Sequence, residues 1–262
     1  MSRFCPLFSS SKGNCTYIGC SNAGILVDAG ASAKAILEAM VSADINKDDI
    51  KAILITHYHT DHISSLKRLG NLLCVPLVMS QDTAKALADF DKLPADAHII
   101  DADAEQINIE GMTIKSFCTS HDCAGSRGYT IVMPDGVKIA VCTDLGFVSD
   151  EVREAICGSQ LVMLESNHDI SMLQKGPYPP ELKNRILGDC GHLSNIACAA
   201  ELPNLIKNGT TRIVLAHVSQ DNNLPTVART CALAALTECG YVENRDFILY
   251  IAPVKNGKML TL

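Results

Sequence analysis

Thr56-His57-Tyr58-His59-Thr60-Asp61-His62, preceded by the apolar run Ala52-Ile53-Leu54-Ile55, is the stretch on which the reading of this 262-residue chain turns. The apolar run reads as a buried strand, being too short for a helix. Alternate side chains of an extended segment point the same way, so His57 and His59 can close on one metal ion. Asp61 and His62 follow where the strand has ended and the backbone can redirect them toward a second ion. Mixed nitrogen and oxygen donors of this kind suit Zn²⁺, Mn²⁺ or Fe²⁺.

Outward from this stretch the chain alternates short apolar runs with segments of helical period. Strands are expected at Phe4-Phe8, Cys15-Ile18 and Ile25-Val27, then a helix capped by Ser32 and running to about Val41. After the histidines come a helix from about His62 to Leu69, a strand Val75-Met79 and a helix Gln81-Phe90. Hairpins are expected around Glu110-Gly111 and around Pro134-Asp135-Gly136. Later strands are Leu161-Leu164, Arg212-Ala216, Phe247-Ile251 and Lys258-Thr261. They alternate with helices at about Asp150-Cys157, Pro180-Leu187, Asn195-Lys207 and Leu224-Cys239. This order predicts an α/β protein of two sheets packed face to face with helices outside, a four-layer αββα sandwich. No linker rich in Pro, Gly or Ser interrupts it, so residues 1-262 read as a single domain. Polar residues recur where strands stop, after Ile55, Phe117, Cys142, Leu164 and Ala216, as a site at one edge of the sheets requires.

Composition narrows the function. A net charge of −7 argues against a broad basic surface for gripping nucleic acid. With no Trp and few aromatics, an extensive base-stacking platform is not expected. No apolar run reaches the ~18 to 20 residues of a membrane span, and Pro6 interrupts the N-terminus before any signal peptide could form. The expected location is the cytoplasm. The twelve cysteines include no C-x-x-C pair. Those in apolar runs (Cys74, Cys142, Cys198, Cys231) are expected to be reduced and buried. Cys118 and Cys123, which flank His121, are expected in the core or behind the metal ligands.

The order His57-x-His59-x-Asp61-His62, then His121, Asp144 and His217, resembles the metallo-β-lactamase superfamily over nearly the whole chain. Taken alone, His121 could equally belong to a surface loop. The resemblance implies that His57, His59 and His121 bind one metal and that Asp61, His62 and His217 bind the other. It also implies that Asp144 bridges the two and that a hydroxide between the ions would be the nucleophile, available near neutral pH because metals depress the pKa of water. Histidine at position 59, where oxygen-reducing diiron relatives carry a carboxylate, favours hydrolysis.

Further stretches narrow the branch. Ser10-Ser11-Lys12-Gly13-Asn14, Glu165-Ser166-Asn167-His168-Asp169, Gly191-His192-Leu193-Ser194-Asn195 and Ala216-His217-Val218-Ser219-Gln220-Asp221-Asn222-Asn223 are similar to the YycJ/WalJ group. That group lies on the phosphodiesterase side of the superfamily and is associated with 5′→3′ DNA exonuclease activity. About 72 residues separate Asp144 from His217, too few for the inserted domain of ribonuclease J-like relatives. A leaving oxygen on phosphorus needs a proton, so a histidine acting as general acid is useful. By similarity to the transfer-RNA 3′-end endonucleases that histidine is His192, held by Glu165. With the ligand Asp61 they are the expected catalytic residues. Ser194 and Asn195 begin the next helix, whose N–H groups favour a phosphate, although Ser194 can also serve as an N-cap. His168 is either a third substrate contact or a structural residue. Arg127, Lys175 and Arg185 are the nearest cations in sequence to these motifs. The expected substrate is therefore a nucleic-acid phosphodiester, DNA cut from a 5′ end. The alternatives are a small ester, lactone, thioester or cyclic phosphodiester, and a regulatory protein that keeps its metals as structure.

Overall fold

The computed structural model describes all residues from Met1 to Leu262. The chain begins with β1 (Arg3–Phe8), β2 (Cys15–Cys20), β3 (Ala23–Val27), α1 (Ala33–Ser42), β4 (Ile50–Leu54), α2 (Thr60–Ile63) and α3 (Leu66–Leu73). Next come β5 (Leu77–Met79), α4 (Gln81–Asp89), β6 (Ile99–Asp101), β7 (Ile107–Ile109), β8 (Met112–Cys118) and β9 (Arg127–Val132). The later elements are β10 (Lys138–Cys142), α5 (Asp150–Ile156), β11 (Leu161–Glu165), α6 (Ile170–Lys175), α7 (Pro180–Leu187) and α8 (Asn195–Lys207). The chain closes with β12 (Arg212–Ala216), α9 (Pro225–Glu238), β13 (Ile248–Ile251) and β14 (Leu260–Thr261).

These strands form two seven-stranded mixed sheets, ordered β14-β1-β2-β3-β4-β5-β6 and β13-β12-β11-β10-β9-β8-β7. The chain divides into two compact units. The first comprises Met1–Ser116, Cys123–Val137 and Pro253–Leu262, and the second Phe117–Asp122 and Lys138–Ala252. In the first unit β1, β2 and β3 pair antiparallel, and β3 through β6 pair parallel. In the second, β10, β11, β12 and β13 are all parallel. Strands buried on both faces read as continuous apolar runs, as residues 161–164 of β11 and 213–216 of β12 do.

Each unit has its own apolar cluster. In the first, Leu26, Ile53, Ile55, Leu77 and Met79 pack with Ile36 and Met40 of α1 and with Leu66 and Leu69 of α3. In the second, Val162, Leu164, Ile213 and Leu215 pack with Cys198 and Leu202 of α8 and with Ala232 and Leu236 of α9. Helix starts follow capping chemistry. Ser32, Ser80, Ser149, Asp169 and Ser194 each accept a hydrogen bond from a backbone N–H in the first turn of the helix they open.

The helix expected from His62 to Leu69 is in fact two. Ser65 interrupts it: its N–H and its hydroxyl both donate to Ala29 O, at 3.0 Å each. Ser64 donates its hydroxyl to Gly30 O. These bonds draw the chain toward the loop after β3. The strand β6 and the helix α6 are additions that sequence period does not reveal, being three and six residues long. The expected burial of Cys142 and Cys198 is met, whereas Cys74 is exposed and Cys231 partly exposed. Cys74 ends α3 in a left-handed conformation with φ 51°, which turns it out of the core. None of the twelve cysteines is half of a disulfide. No helix is long and apolar enough to cross a membrane.

Gly30 brings the histidine loop onto the loop after β3. Its N–H donates to Asn14 O at 2.8 Å, and Asn14 N–H donates to Asp61 O at 2.8 Å. A Cβ on Gly30 would stand 1.6 Å from the Asp61 carbonyl oxygen, so any side chain must push the two loops apart. Gly30→Ala is expected to lower the unfolding free energy by at least about 2 kcal/mol, as overpacking of a closed contact does. Urea unfolding checks it; a midpoint equal to the parent's would mean the loops are free to separate.

Candidate metal centre

In the first unit the donors lie on the loop that leaves β4 and on α2. Tyr129 Oη fixes the end of the strand by donating to Ile55 O at 2.7 Å. Asp28, just past β3, adopts φ 65°, a left-handed conformation that costs an L-residue roughly 1–2 kcal/mol. Its carboxylate is over-determined by its partners. Oδ1 accepts the Thr56 N–H at 2.9 Å, and Oδ2 accepts the Thr56 hydroxyl at 2.9 Å and faces His62 Nδ1 at 2.7 Å. A carboxylate can only accept, so His62 carries its proton on Nδ1 and its lone pair on Nε2. The Thr56 hydroxyl proton goes to Asp28, so Thr56 Oγ1 accepts from His57 Nδ1 at 3.0 Å. His57 thereby also presents a lone pair on Nε2, which stands 3.0 Å from His59 Nδ1. Two nitrogens sharing one ion at ~2.0–2.1 Å each stand only ~3–3.4 Å apart, so this spacing is that of a chelating pair. Asn14 Nδ2 stands 3.0 Å from His62 Nε2 and 3.3 Å from Asp61 Oδ2, marking the two acceptors side by side. Burial pushes the Asp28 carboxyl up, while His62 and Thr56 pull it back toward ionisation.

In the second unit the anchor is Glu165, the last residue of β11 and fully buried. Its Oε1 accepts from His217 Nδ1 at 2.7 Å and from His192 Nδ1 at 2.9 Å. Its Oε2 accepts the backbone N–H groups of Leu145 and Leu193, each at 3.1 Å. Burial opposes the charge on Glu165, yet the two imidazoles hold the carboxyl far below the ordinary range. Burial likewise opposes protonation of His192, but Glu165 and Asp144 overcome it and raise its pKa. Asp144 and His217 follow β10 and β12 in left-handed conformations, φ 60° and 53°. One donor atom each from Asp144, Glu165, His192 and His217 falls within 4.8 Å of the others. His121 has Nδ1 3.2 Å from Gly191 O, which again leaves the lone pair on Nε2.

The donor set thus fits transition-metal cations. His57, His62, His121 and His217 each engage an acceptor through Nδ1, the arrangement that fixes tautomer and ring orientation in metal-ligating histidines. All seven expected ligands lie on strand-end loops or the short helix α2. The supports Asp28, Thr56 and Asn14 had no role assigned from sequence. A carboxylate directly after the buried strand β3 was the available signal for Asp28.

The expected substrate contacts divide. Ser194 Oγ accepts the Ala197 N–H at 3.2 Å, the N-cap reading. Asn195 is engaged within the protein. Its side chain is buried and exchanges hydrogen bonds with Asn223 at 2.8 and 2.9 Å, and its Oδ1 accepts the Ser166 hydroxyl at 2.7 Å. Its N–H donates to His168 O at 2.9 Å, so neither group is open to a phosphate. Asn195 instead ties the start of α8 to the loops after β11 and β12, because Asn223 also donates to Ser166 O and Asn167 O. His168 is buried, and neither ring nitrogen has a hydrogen-bond partner in the protein. Burial pushes its pKa from 6.5 down to about 4. Arg127 forms a two-pronged pair with Asp103, at 2.7 and 2.9 Å, and Arg185 pairs with Asp122. Cys123 is buried and Cys118 exposed.

Comparison with known proteins agrees with these motifs. Residues 11–188 match the family model described as the metallo-beta-lactamase superfamily. The chain is 36% identical over 248 residues to exodeoxyribonuclease YycJ of Bacillus anthracis, covering 94% of both chains. It is 32% identical over 255 residues to exodeoxyribonuclease WalJ of Streptococcus pneumoniae serotype 2, covering 95% of this chain and 93% of that one. Among solved structures it superposes with a TM-score of 0.72 on the metallo-beta-lactamase fold protein YhfI from Bacillus subtilis, covering all of both chains. At 15% identity that likeness shows the fold alone.

Asp28→Asn keeps the shape of the His62 support but removes its charge, and it is expected to weaken metal binding 10- to 100-fold. Competition with a chromophoric chelator reads this directly, and unchanged affinity would contradict the support. His168 supplies a pH signature. The unfolded chain takes up this proton near pH 6.5 and the folded chain only near 4, so the neutral ring's contribution to stability is complete above 6.5 and is lost as pH falls toward 4. Urea unfolding of the metal-free protein across that window is expected to show a shallower loss for His168→Gln than for the parent; parallel curves would contradict it.

Proposed function

The chain belongs to the metallo-β-lactamase superfamily and is a metal-dependent hydrolase, and from that premise we propose that it is a dinuclear phosphodiesterase that removes nucleotides from DNA in the 5′→3′ direction. One observation carries this reading: the buried Glu165 engages Nδ1 of both His192 and His217. One carboxylate thus orients a metal-ligand candidate and a histidine with a partly exposed ring. Ester hydrolysis with a good leaving group has no need of the second partner, whereas a sugar oxygen leaving phosphorus must gain a proton. The exodeoxyribonuclease names of the two relatives support DNA as the substrate.

In this reading residues 1-262 act as a single domain, in the cytoplasm. His57, His59 and His121 would hold one divalent ion and Asp61, His62 and His217 the second, with Asp144 contributing its carboxylate to the pair. The ions, Zn²⁺, Mn²⁺ or Fe²⁺, supply Lewis acidity and an acidified water when bound. Asp28, Thr56 and Glu165 keep the ligand imidazoles in the tautomer that offers Nε2. Glu165 holds the His192 ring by Nδ1, and Nε2 of that ring delivers the proton to the departing sugar oxygen. Ser194 and the buried Asn195–Asn223–Ser166 network fix the segment that carries His192.

End-labelled duplex DNA, single-stranded DNA and RNA, each with Mn²⁺ or Zn²⁺, test the assignment. Stepwise loss of 5′ nucleotides from DNA is expected. His192→Ala is expected to lower that rate 10²- to 10⁴-fold, and to have a smaller effect on bis-p-nitrophenyl phosphate, whose leaving group needs little protonation. Equal losses on both substrates would remove the general-acid role. Cleavage of the small diester with silence on every polymer would move the substrate to a small phosphodiester. Chelation of the metals is expected to lower the melting temperature, since an ion bound only by the native state stabilises it by mass action.

A further inference from the structure

Of the six phenylalanines, Phe4, Phe8, Phe117 and Phe247 are buried, and Phe90 and Phe147 are exposed. Phe90 is the more exposed, at 60%, and it has a specific neighbour. It follows the last residue of α4, with its N–H donating to Ala86 O at 3.0 Å, and its ring lies against Tyr58 with centroids 6.2 Å apart and planes tilted by 57°. Tyr58 packs partly against the core of the first unit, and its ring meets that of His59 edge-on, centroids 5.8 Å apart. A continuous row, His59–Tyr58–Phe90, therefore runs from a metal-ligand candidate to open solvent within one unit. Isolated exposed apolar side chains are ordinary. An exposed ring held against a second ring that itself borders a metal-ligand candidate is a different feature, since it presents a π-face beside the donor loop.

We propose that Phe90, braced by Tyr58, is a stacking site for one base of a single-stranded nucleic acid whose phosphate lies at the metal centre. The proposal rests on the nuclease reading above and adds a base contact to it. The charges around the pair favour stacking over phosphate attraction. Exposed Asp89 and Asp91 offset Lys67 and Lys92, and Lys67 Nζ already contacts Asp91 Oδ1 at 2.7 Å. A ring stacked on a base is indifferent to which base it meets, because every base has a π-face, and each such contact contributes about 1–3 kcal/mol. That matches an enzyme that must accept any sequence.

The chain has no tryptophan, so Phe90→Trp creates a single fluorescent reporter at the site. Titration with a phosphorothioate-linked oligodeoxynucleotide that resists cleavage is expected to quench it saturably. An abasic strand of the same length is expected to leave it bright. Phe90→Ala and Phe90→Leu are expected to weaken oligonucleotide binding by ~5- to 150-fold, with Phe90→Tyr close to the parent. The ratio should hold as salt rises, because no phosphate contact is lost. Equal affinity of Phe90→Ala and parent, or equal quenching by the abasic strand, would overturn the stacking site while DNA cleavage by the parent left the nuclease reading standing. A parent protein that neither binds nor cleaves any nucleic acid, yet hydrolyses a small diester, would overturn both.

Discussion

Two buried carboxylates, Asp28 and Glu165, set the terms for the rest of the molecule. An ionised carboxylate removed from water is unfavourable by many kcal/mol unless it is paired and fully hydrogen-bonded. Each is surrounded accordingly. Asp28 takes the Thr56 N–H, the Thr56 hydroxyl and the His62 ring, and Glu165 takes two backbone N–H groups and two imidazoles. The same bonds that make burial tolerable also fix the histidine tautomers. Structural necessity and metal-binding competence therefore arise from one set of contacts.

Backbone conformation makes those contacts possible. Asp28, Asp144 and His217 each adopt a left-handed conformation just after a strand, where a regular strand would carry the side chain on to the next pleat. The turn instead aims the side chain off the strand end. Such conformations persist in L-residues only where surrounding bonds over-determine them, and here Asp28 is bonded to Thr56 and His62, and His217 to Glu165. Ser65, which breaks the helix after the histidine loop, and Gly30, whose missing Cβ admits the Asp61 carbonyl, are part of the same accommodation.

The polar network around Asn195 shows a second level of organisation. Ser166, Asn195 and Asn223 exchange hydrogen bonds in the interior of the second unit and tie three segments together: the loop after β11, the start of α8 and the loop before α9. A network in which each member is satisfied rigidifies what it joins. One of those segments lies directly after His192, whose ring must be held in place if it is to deliver a proton.

Much of the molecule was legible in the residues. The run into His57 announced a buried strand ending in donors, and the order of His121, Asp144 and His217 carried the family and its two mixed sheets. Apolar period located most of the helices and strands, because burial of one face or two leaves a repeating signature along the chain. What the sequence did not contain were the relations between distant segments. Nothing local in Asp28 or Thr56 says that they will meet His62 and His57, and nothing in Asn195 distinguishes a phosphate contact from a buried tie to Asn223. Cys74 looked like a core residue until the end of α3 turned it outward. The residue types and their order were set by the chemistry of ligands and of apolar burial, which is written along the chain. Which nitrogen of each histidine is free, and which polar side chains are already satisfied, was decided only by tertiary structure, because a hydrogen bond depends on distance in space and not on separation in sequence.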